Sequence, residues 1–502
     1  MEPAAVTDLR TETDSLGLKE LPREAVWGIH TARALENFPI TGVPLAHFPE
    51  LVRALAMVKK AAALANRDLG VLDPGLATAI ASACDAIIAG RHHEHFVVDM
   101  IQGGAGTSTN MNANEVIANL ALAALGHAPG DYARLHPNDH VNRSQSTNDV
   151  YPTAIRLAVL EACAPLRAEQ QRLADAFAER ARAFAPVIKV GRTQLQDAVP
   201  MTLGMEFAGF AATVEEDIAR LGELAALLRE VNLGGTAIGT GVTTPAGYAA
   251  LAVRHLAAIS GEPLVEARDR IEASSDLGAF VTVSGVLKRI AVKLSKICND
   301  LRLLSSGPRA GLGEIHLPPV QAGSSIMPGK VNPVIPEVVN QVAYQVIGND
   351  LTVTLAAEAG QLQLNAMEPV LIFNVLQSIR MLTRVMAVLT DRCVVGIEAD
   401  TARCAALIED SLVLATALVP LVGYEAAAAI ATRALATGRT IADVALETGG
   451  LTRERLELAL RAEAMLGPAA TPDAGTAPVA GLPIDDHRAA ASIDVGLPVT
   501  QS

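Results

Sequence analysis

The chain has 502 residues, of which 50% are hydrophobic and 3% aromatic, and its formal net charge is −14. This length predicts about three domains with a large buried core, and the composition is typical of a globular protein. An acidic chain repels phosphate backbones, and scarce aromatic rings offer little base stacking, so nucleic acid is excluded as an expected partner. An anionic ligand would have to be held by a local pocket against the field of the whole protein.

The N-terminal stretch MEPAAVTDLRTETDSLG is polar and acidic, which indicates no secretory signal. The five cysteines are far apart and form no CxxC pair, a pattern typical of reduced, buried residues in a cytosolic protein. No stretch approaches about 20 uninterrupted apolar residues, so no membrane span is expected. We therefore predict a soluble, cytoplasmic protein.

Helical periodicity dominates the chain. Residues 156–185 repeat apolar side chains at three- and four-residue spacing, opposite a charged face. Similar patterns cover 205–231, 270–306, 335–358 and 370–398. Strand-like runs are few and short, and the apolar residues are mostly Ala, Leu and Val. We predict a mainly α fold, with a bundle of long helices that buries several faces, some of them against other subunits.

The predicted domain organisation has four segments. An N-terminal, mostly helical domain covers 1–147, and a central long-helix bundle covers 148–402. A small helical domain follows at 403–468. The remaining residues, 469–502, are rich in Ala, Pro and Gly without apolar periodicity, and are predicted to be a disordered tail.

The loops between these helices are unusually rich in Ser, Thr, Asn and Gly. Helix caps and turns explain one or two such loops, but a helical bundle needs only short connections. The loops that stand out are 102–115, 136–149, 191–200, 232–241 and 323–333.

The last of these loops, GSSIMPGKVNP, cannot form a regular helix or strand because glycine and proline interrupt it four times. Its polar side chains are two serines, a lysine and an asparagine, with no carboxylate among them. This composition indicates a site for an anion.

GSSIMPGKVNP closely resembles the signature of the aspartase/fumarase superfamily. The other polar loops resemble it in order along nearly the whole chain, from WGIHTARALENFPITG (27–42) to GYE (423–425). GRTQLQDAVP (191–200) and GQLQLNAMEP (360–369) are similar to the aspartate ammonia-lyase branch rather than to class II fumarases. The resemblance implies a three-domain fold whose long helices assemble into a tetrameric helical core, with each active site built from three chains.

The resemblance also implies a reaction, the reversible anti-elimination of ammonia from L-aspartate through an aci-carboxylate to give fumarate. By this resemblance Ser324 is the base and Asn148 positions the amino group. The residues implied to bind the β-carboxylate are Thr107, Ser146, Thr147 and Ser325, and those implied to hold the α-carboxylate are Thr193, Gln194, Lys330 and Asn332. No cofactor and no metal are implied, and the partners are a small dicarboxylate and other copies of the chain in a homotetramer.

Three alternatives stay open. The first is a class II fumarase, which acts on L-malate. Class II fumarases usually carry a histidine where this chain has Gln194, and a non-titrating glutamine suits the loss of ammonia better than the loss of hydroxide. Val242 and Thr243 depart from the usual aspartase pattern, which leaves open a lyase for a modified aspartate. A third alternative is a non-catalytic structural protein, as in the lens crystallins of this superfamily.

Other clusters carry weaker signals. The histidines of RHHEHF (91–96) are adjacent, a spacing that suits neither a helix face nor a tetrahedral metal site, so a solvated loop is favoured. His136 and His140 are predicted to organise the neighbouring polar loops. GGTAIGTG (234–241) follows a long helix rather than a strand, which disfavours a dinucleotide site.

Overall fold

In a computed structural model, the chain is described at residues 8–448, 452–461 and 466, and the tail predicted for 469–502 lies outside these residues. Helices form most of the described chain. The helices of the first half are α1 (Ile29–Asn37), α2 (Pro49–Asp68), α3 (Pro74–Ile88), α4 (Thr107–Ala124), α5 (Thr147–Ala183), α6 (Leu203–Leu228) and α7 (Tyr248–Ser260). Those of the second half are α8 (Gly278–Leu304), α9 (Val334–Glu358), α10 (Glu368–Arg392), α11 (Thr401–Asp410), α12 (Val419–Val422), α13 (Tyr424–Thr437), α14 (Ile441–Glu447) and α15 (Arg453–Ala459).

Short strands pair two by two between the helices. The antiparallel pairs are β1 (Leu9–Asp14) with β2 (Gly17–Pro22), β3 (Ile188–Thr193) with β4 (Gln196–Thr202), and β7 (Ile315–His316) with β8 (Glu398–Ala399). The parallel pair is β5 (Glu230–Val231) with β6 (Val265–Glu266). The mainly α prediction is confirmed, and the long predicted helices correspond to α5, α6, α8, α9 and α10. The largest shifts of their bounds are at the starts of α5, at 147 against the predicted 156, and of α8, at 278 against the predicted 270.

The helix α5 sets the length of the bundle. Its 37 residues span about 55 Å. Ser146 and Asp149 form a capping box at its N-terminus. The Ser146 hydroxyl accepts from backbone N–H groups of the first turn, and the Asp149 carboxylate accepts from the Ser146 N–H. The next helix, α6, runs back along it, because Arg156 donates to the Leu227 carbonyl (3.0 Å) while Gly204 donates to the Phe184 carbonyl (3.1 Å).

The helices α8, α9 and α10 complete the bundle by running back and forth beside α5 and α6. Asn340 near the start of α9 donates to Ser295 on α8, whereas Asp350 further along α9 accepts from Ser284, nearer the start of α8 (2.8 Å). These contacts make α8 and α9 antiparallel. One large apolar core joins all five helices to α2, α3 and α4.

One described helical stretch, Glu368–Gly396, is long and apolar enough to cross a membrane by length and composition. Within its most apolar window 56% of the residues are buried, and its helix α10 packs against α5 and α9. The segments Thr401–Asp410 and Leu412–Val422 pass the same test only together and bend by 62° between them. Length and apolarity of this kind are also typical of a core helix.

The C-terminal helices bury a separate apolar cluster between Ala415 and Leu456. A small third cluster, formed by Val190, Ile408 and Val413, joins this region to the hairpin β3–β4. The domain boundaries at 147/148 and 402/403 stay predictions. All five cysteines are buried and unpaired.

A buried carboxyl at the start of α10 gives the fold a testable pH dependence. Burial raises the pKa of Glu368 from 4.5 to about 8, and the nearby Arg156 acts to lower it. Between pH 4.5 and about 8, the folded chain therefore holds a proton that the unfolded chain has lost. The free energy of unfolding consequently falls as pH rises between these values, by up to about 1.4 kcal/mol per pH unit.

We expect Glu368→Gln, which imitates the protonated carboxyl, to remove this slope. Urea denaturation midpoints of both proteins, measured from about pH 5 to about pH 9, check it. The variant is expected to gain stability relative to the parent as pH rises, and parallel profiles would remove Glu368 as the origin.

Candidate active site

The first group of predicted site residues surrounds the N-terminus of α5. Ser146 is the N-cap, and its hydroxyl accepts from the Asn148 N–H (3.3 Å). The side-chain amide of Asn148 donates to the Ala237 carbonyl (2.8 Å), in the glycine-rich loop 232–241. Two of the polar loops therefore meet here, and Asn148 lies at their junction.

Asp149, in the first turn of α5, hydrogen-bonds to the same two loops. Its buried carboxylate accepts from the backbone N–H groups of Ser146 (2.9 Å), Gly234 (2.9 Å) and Thr236 (3.1 Å). Burial raises the pKa of Asp149, while these three donors act to lower it. The sequence analysis missed this residue, although SQSTND places an acidic side chain three positions after a serine cap, which is the capping-box signal.

Thr107 belongs to the same end of the bundle. It begins α4 and is exposed, with its hydroxyl donating to the Gly104 carbonyl (2.6 Å). The preceding Gly106 has φ +85°, and a Cβ there would lie 2.6 Å from the Tyr151 ring of α5, so only glycine permits this approach. One turn into α4, Asn110 donates to the Thr147 hydroxyl (3.1 Å), which links the Thr107 loop to α5.

A buried amide network that the sequence analysis missed lies beneath Thr147. The Asn142 side-chain oxygen accepts from Asn110 and from Asn114 (3.2 Å each), and from the Lys59 ammonium (2.9 Å). Lys59 also donates to Gln145 (3.0 Å). Burial lowers the pKa of Lys59 to about 7. A lysine inside the Ala-rich stretch of α2 was the only sequence signal for it.

His136 and His140 cap the turn that precedes this network. The His140 Nδ1 accepts from the His136 N–H (2.8 Å), and the His136 Nδ1 accepts from the N–H groups of Asn138 and Asp139. Both rings thus hold backbone groups of the loop 136–149, in agreement with the predicted organising role.

The second group of predicted residues includes Thr193 and Gln194, at the tip of the hairpin β3–β4. Both are exposed, and Gln194 has φ +54°. Buried charges fix the hairpin base, since the Glu314 carboxylate lies 2.6 Å from Arg192 and 2.7 Å from Lys189. The sequence analysis did not predict this ion cluster. It fixes the hairpin base, and the side chains of Thr193 and Gln194 at the tip stay exposed to a ligand.

Ser324 lies in a largely exposed loop that is held by hydrogen bonds within the loop itself. Its hydroxyl oxygen accepts from the backbone N–H groups of Ile326 (3.1 Å) and Met327 (2.9 Å). The loop is pinned by Gly323 N–H to the Lys330 carbonyl (2.9 Å) and by the Asn332 amide to the Gly323 carbonyl (2.7 Å). Two N–H donors aimed at one hydroxyl oxygen stabilise negative charge on it.

Lys330 and Asn332 line a groove of about 720 Å³ with Arg302 and His316. Ser325 and Lys330 are exposed. This groove lies at the C-terminal end of α8, and Glu314, which holds the hairpin, hydrogen-bonds to Leu304 at the same helix end. The serine loop and the hairpin therefore share one end of the bundle, although no hydrogen bond among the described residues joins them.

The first group lies at the other end. Asn232 donates both to the Asn148 carbonyl (3.0 Å) and to Ser274 (3.1 Å), which lies just before the start of α8. The 27 residues of α8 span about 40 Å. Thr107 and Ser146–Asn148 are thus separated from Thr193, Gln194 and the serine loop by the length of the bundle. One chain does not bring these groups into a single pocket.

Comparison with known proteins shows the family of this chain. A family model described as lyase matches residues 17–348, and one described as fumarase C C-terminus matches residues 414–467. A protein of Pseudomonas canavaninivorans named aspartate ammonia-lyase is 60% identical over 93% of this chain and 99% of its own length. One of Escherichia coli K12 with the same name is 51% identical over 92% of this chain and 97% of its own length.

Solved structures are similar over the same extent. One described as fumarate lyase:delta crystallin from Brucella melitensis, bound to cobalt, has a TM-score of 0.90 and 62% identity, covering 92% of this chain and 100% of that one. A class II fumarase from Schistosoma mansoni has a TM-score of 0.87 at 33% identity, covering 92% of this chain and 99% of that one. By fold and by sequence, the chain belongs to the aspartase/fumarase superfamily of lyases.

Proposed function

We propose that the chain is a carbon–nitrogen lyase that deaminates L-aspartate reversibly to fumarate and ammonia. The observation that carries the chemistry is the Ser324 hydroxyl, whose oxygen receives two backbone N–H groups. A serine becomes a base only when its alkoxide is stabilised, and these donors provide that stabilisation. The relatives named aspartate ammonia-lyase support aspartate as the substrate.

In the proposed reaction the Ser324 alkoxide takes the proton from the carbon next to the β-carboxylate. The electron pair moves into that carboxylate and forms the aci-carboxylate. It then returns to form the double bond as the C–N bond breaks and neutral ammonia leaves. Because the proton is weakly acidic, most of the barrier is lowered by donors to the developing charge, and losing one donor typically costs about 10²–10³ in rate.

Residues from both bundle ends contribute to binding the substrate. Thr107, Ser146, Thr147 and Ser325 donate to the β-carboxylate, where the charge develops. Asn148 orients the amino group, and the loop 232–241 holds it twice, since Asn232 donates to the Asn148 carbonyl and the Asn148 amide donates to the Ala237 carbonyl. The α-carboxylate, whose charge is constant through the reaction, is held by Thr193, Gln194, Lys330 and Asn332.

Gln194 favours ammonia over water as the leaving group. The ammonium of aspartate departs as neutral ammonia without receiving a proton, whereas the hydroxyl of malate needs a proton donor to leave. The hairpin tip, described completely here, presents Thr193, Gln194 and Leu195 and no ionisable side chain. A fumarase activity is the second candidate, and the glutamine at position 194 argues against it.

A homotetramer is the assembly we propose, with sites shared between chains. Tyr344, Ile347, Leu351 and Leu355 follow one face of α9 at helical spacing and are 38–62% exposed in the single chain. An apolar stripe of this length on a bundle helix indicates packing against another subunit. Such packing can set the serine loop of one chain beside the Asn148 loop of another, which the single chain cannot do.

The appearance of fumarate, followed by its ultraviolet absorbance, tests the proposed activity. Purified protein is mixed with L-aspartate in one series and with L-malate in a matched series, and ammonia is measured independently. Rapid fumarate and ammonia formation from aspartate is expected, with little or no turnover of malate. Faster turnover of malate would favour the fumarase, and inactivity with both substrates would favour a modified aspartate or a structural role.

Replacing Lys330 by alanine is expected to raise KM for L-aspartate by about 10–100-fold and to change kcat much less. The ammonium at position 330 pairs with the α-carboxylate in ground state and transition state alike, so its loss weakens both equally. Steady-state kinetics check this. An unchanged KM would remove Lys330 from substrate binding, and Arg309→Ala, a change in a neighbouring loop outside the proposed site, is the control.

A further inference from the structure

Outside the proposed active site, the turn that follows α3 brings three metal-ligating side chains together. One nitrogen each from His92 and His95 and one carboxylate oxygen of Glu94 lie within 4.8 Å of one another. From sequence, the adjacent spacing of these residues suits neither a helix face nor a tetrahedral metal site. The 3-10 turn at His93–His95 nevertheless brings them together, because residues three apart lie on the same side of such a turn and the His95 side chain therefore returns toward His92.

The backbone of this turn is held firmly from both sides. Asn112 of α4 donates to the His95 carbonyl and accepts from the Val97 N–H (3.1 Å each). The neighbouring His93 ring points away from the cluster and hydrogen-bonds to the Ile87 carbonyl (2.8 Å). The three ligating side chains therefore start from a fixed frame, and little conformational freedom is lost when they bind an ion.

The conformation of His92 is unusual and directs its ring into the cluster. Its φ of +66° lies in the left-handed region, which non-glycine residues adopt uncommonly. In this conformation its ring stacks on that of His95, with centroids 6.2 Å apart and planes 18° from parallel. The Glu94 carboxylate approaches the His95 Nε2 at 3.6 Å, which is beyond a hydrogen bond.

We propose that His92, Glu94 and His95 form a binding site for a divalent transition-metal ion of the Zn²⁺ and Co²⁺ type. Imidazole and carboxylate ligands bond such ions at about 2.0–2.2 Å, so ligand atoms on one ion lie about 3–4 Å apart. The observed spacing reaches this range with small side-chain rotations. Two nitrogen ligands favour zinc or cobalt over Mg²⁺, which prefers oxygen.

The position of this site gives the ion a structural role. It lies on the segment between α3 and α4, and Asn112, which holds the turn, is part of the helix that begins at Thr107. An ion bound to three side chains of this turn stabilises the folded chain over the unfolded one. None of its ligands belongs to the residues proposed for aspartate chemistry.

The test uses the full-length protein, freed of metal with a chelator and titrated with Zn²⁺ by calorimetry, with bound zinc counted by elemental analysis. The parent is expected to bind one more equivalent per chain than the variant carrying His92→Ala and His95→Ala. A control variant with His127→Ala and His255→Ala, which also lacks two histidines, is expected to bind as the parent does. Excess Mg²⁺ is expected not to displace the zinc.

Glu94→Gln, at an exposed position, provides a second measurement that does not depend on the folding of the double variant. It is expected to weaken Zn²⁺ binding by at least about tenfold because a charged ligand is lost. Its turnover of L-aspartate is expected to equal that of the parent. Equal zinc stoichiometry and affinity in the parent, the double variant and Glu94→Gln, or displacement by equimolar Mg²⁺, would overturn the proposal.

Discussion

Replacing Ser324 by alanine is expected to lower kcat for L-aspartate by at least about 10³-fold, with folding and assembly unchanged. The Ser324 hydroxyl oxygen is the acceptor of two backbone N–H groups, whereas the hydroxyl of Ser325, the other serine of the loop 323–333, has no such donors among the described residues. Loss of the Ser324 hydroxyl costs little stability, because the freed N–H groups lie in an exposed loop where water can replace it.

Steady-state and single-turnover kinetics measure this effect, and circular dichroism and size-exclusion chromatography check the fold and the assembly. Ser260→Ala is a matched control, because it removes a serine hydroxyl at the end of α7, outside the proposed site, that donates to the Leu256 carbonyl (2.8 Å). The control is expected to retain normal turnover. Near-normal fumarate production by Ser324→Ala would remove Ser324 from the mechanism.

Replacing Asp149 by alanine is expected to produce the largest loss of stability, about 3–6 kcal/mol. The buried carboxylate receives the N–H groups of Ser146, Gly234 and Thr236, and all three donors lose their partner in the variant. The half of the α5 capping box that Asp149 supplies is lost with it, whereas the Ser146 hydroxyl still accepts from the Asn148 N–H. Because these contacts also hold the loop that presents Asn148, the protein that still folds is expected to turn over aspartate more slowly.

The midpoint of urea denaturation and kcat per folded chain measure the two effects separately. Asp139→Ala is the control, since that carboxylate is on the same polar loop but its side chain is 76% exposed. A denaturation midpoint for Asp149→Ala equal to that of the control would show that the three hydrogen bonds contribute little.

The sequence predicted the long helices well because their apolar periodicity extends over many turns. The helices α5, α6, α8, α9 and α10 overlap the predicted segments, but their ends differ. The Ser146 cap starts α5 before the predicted residue 156, whereas α8 starts after the predicted residue 270 and has no side-chain cap. Two of the predicted polar loops were wrong in part, because 102–115 becomes helix α4 from Thr107 onward and 191–200 forms the hairpin β3–β4. The loops 232–241 and 323–333 do lie outside the helices. Local pattern is sufficient for such features.

The residues that support the site could not be predicted in the same way. Lys59 reaches Asn142 and Gln145 across more than 80 positions of sequence, and Glu314 reaches Arg192 across 122. Each is a charged residue whose burial is acceptable only because a distant partner is present. A single sequence contains no signal for such pairing. For RHHEHF, spacing along the chain did not show that side-chain atoms of His92, Glu94 and His95 lie close together, which follows from the left-handed conformation of His92 before a tight turn.

We propose that each active site combines loops from opposite ends of different chains. Asn148→Ala and Ser324→Ala each disable one end and are expected to be inactive alone. Co-expression with two affinity tags gives mixed assemblies, which tandem purification isolates. If every site takes Asn148 from one chain and Ser324 from another, about a quarter of the sites in randomly mixed assemblies contain both intact residues.

Fumarate formation from L-aspartate by the purified mixed assembly is therefore the decisive measurement. The proposed arrangement predicts that activity returns to about a quarter of the parent level, whereas assemblies made only of chains carrying both substitutions stay inactive. Native mass spectrometry confirms the mixed composition. Persistent inactivity of verified mixed assemblies, or full activity of an isolated single chain of the parent protein, would contradict the account.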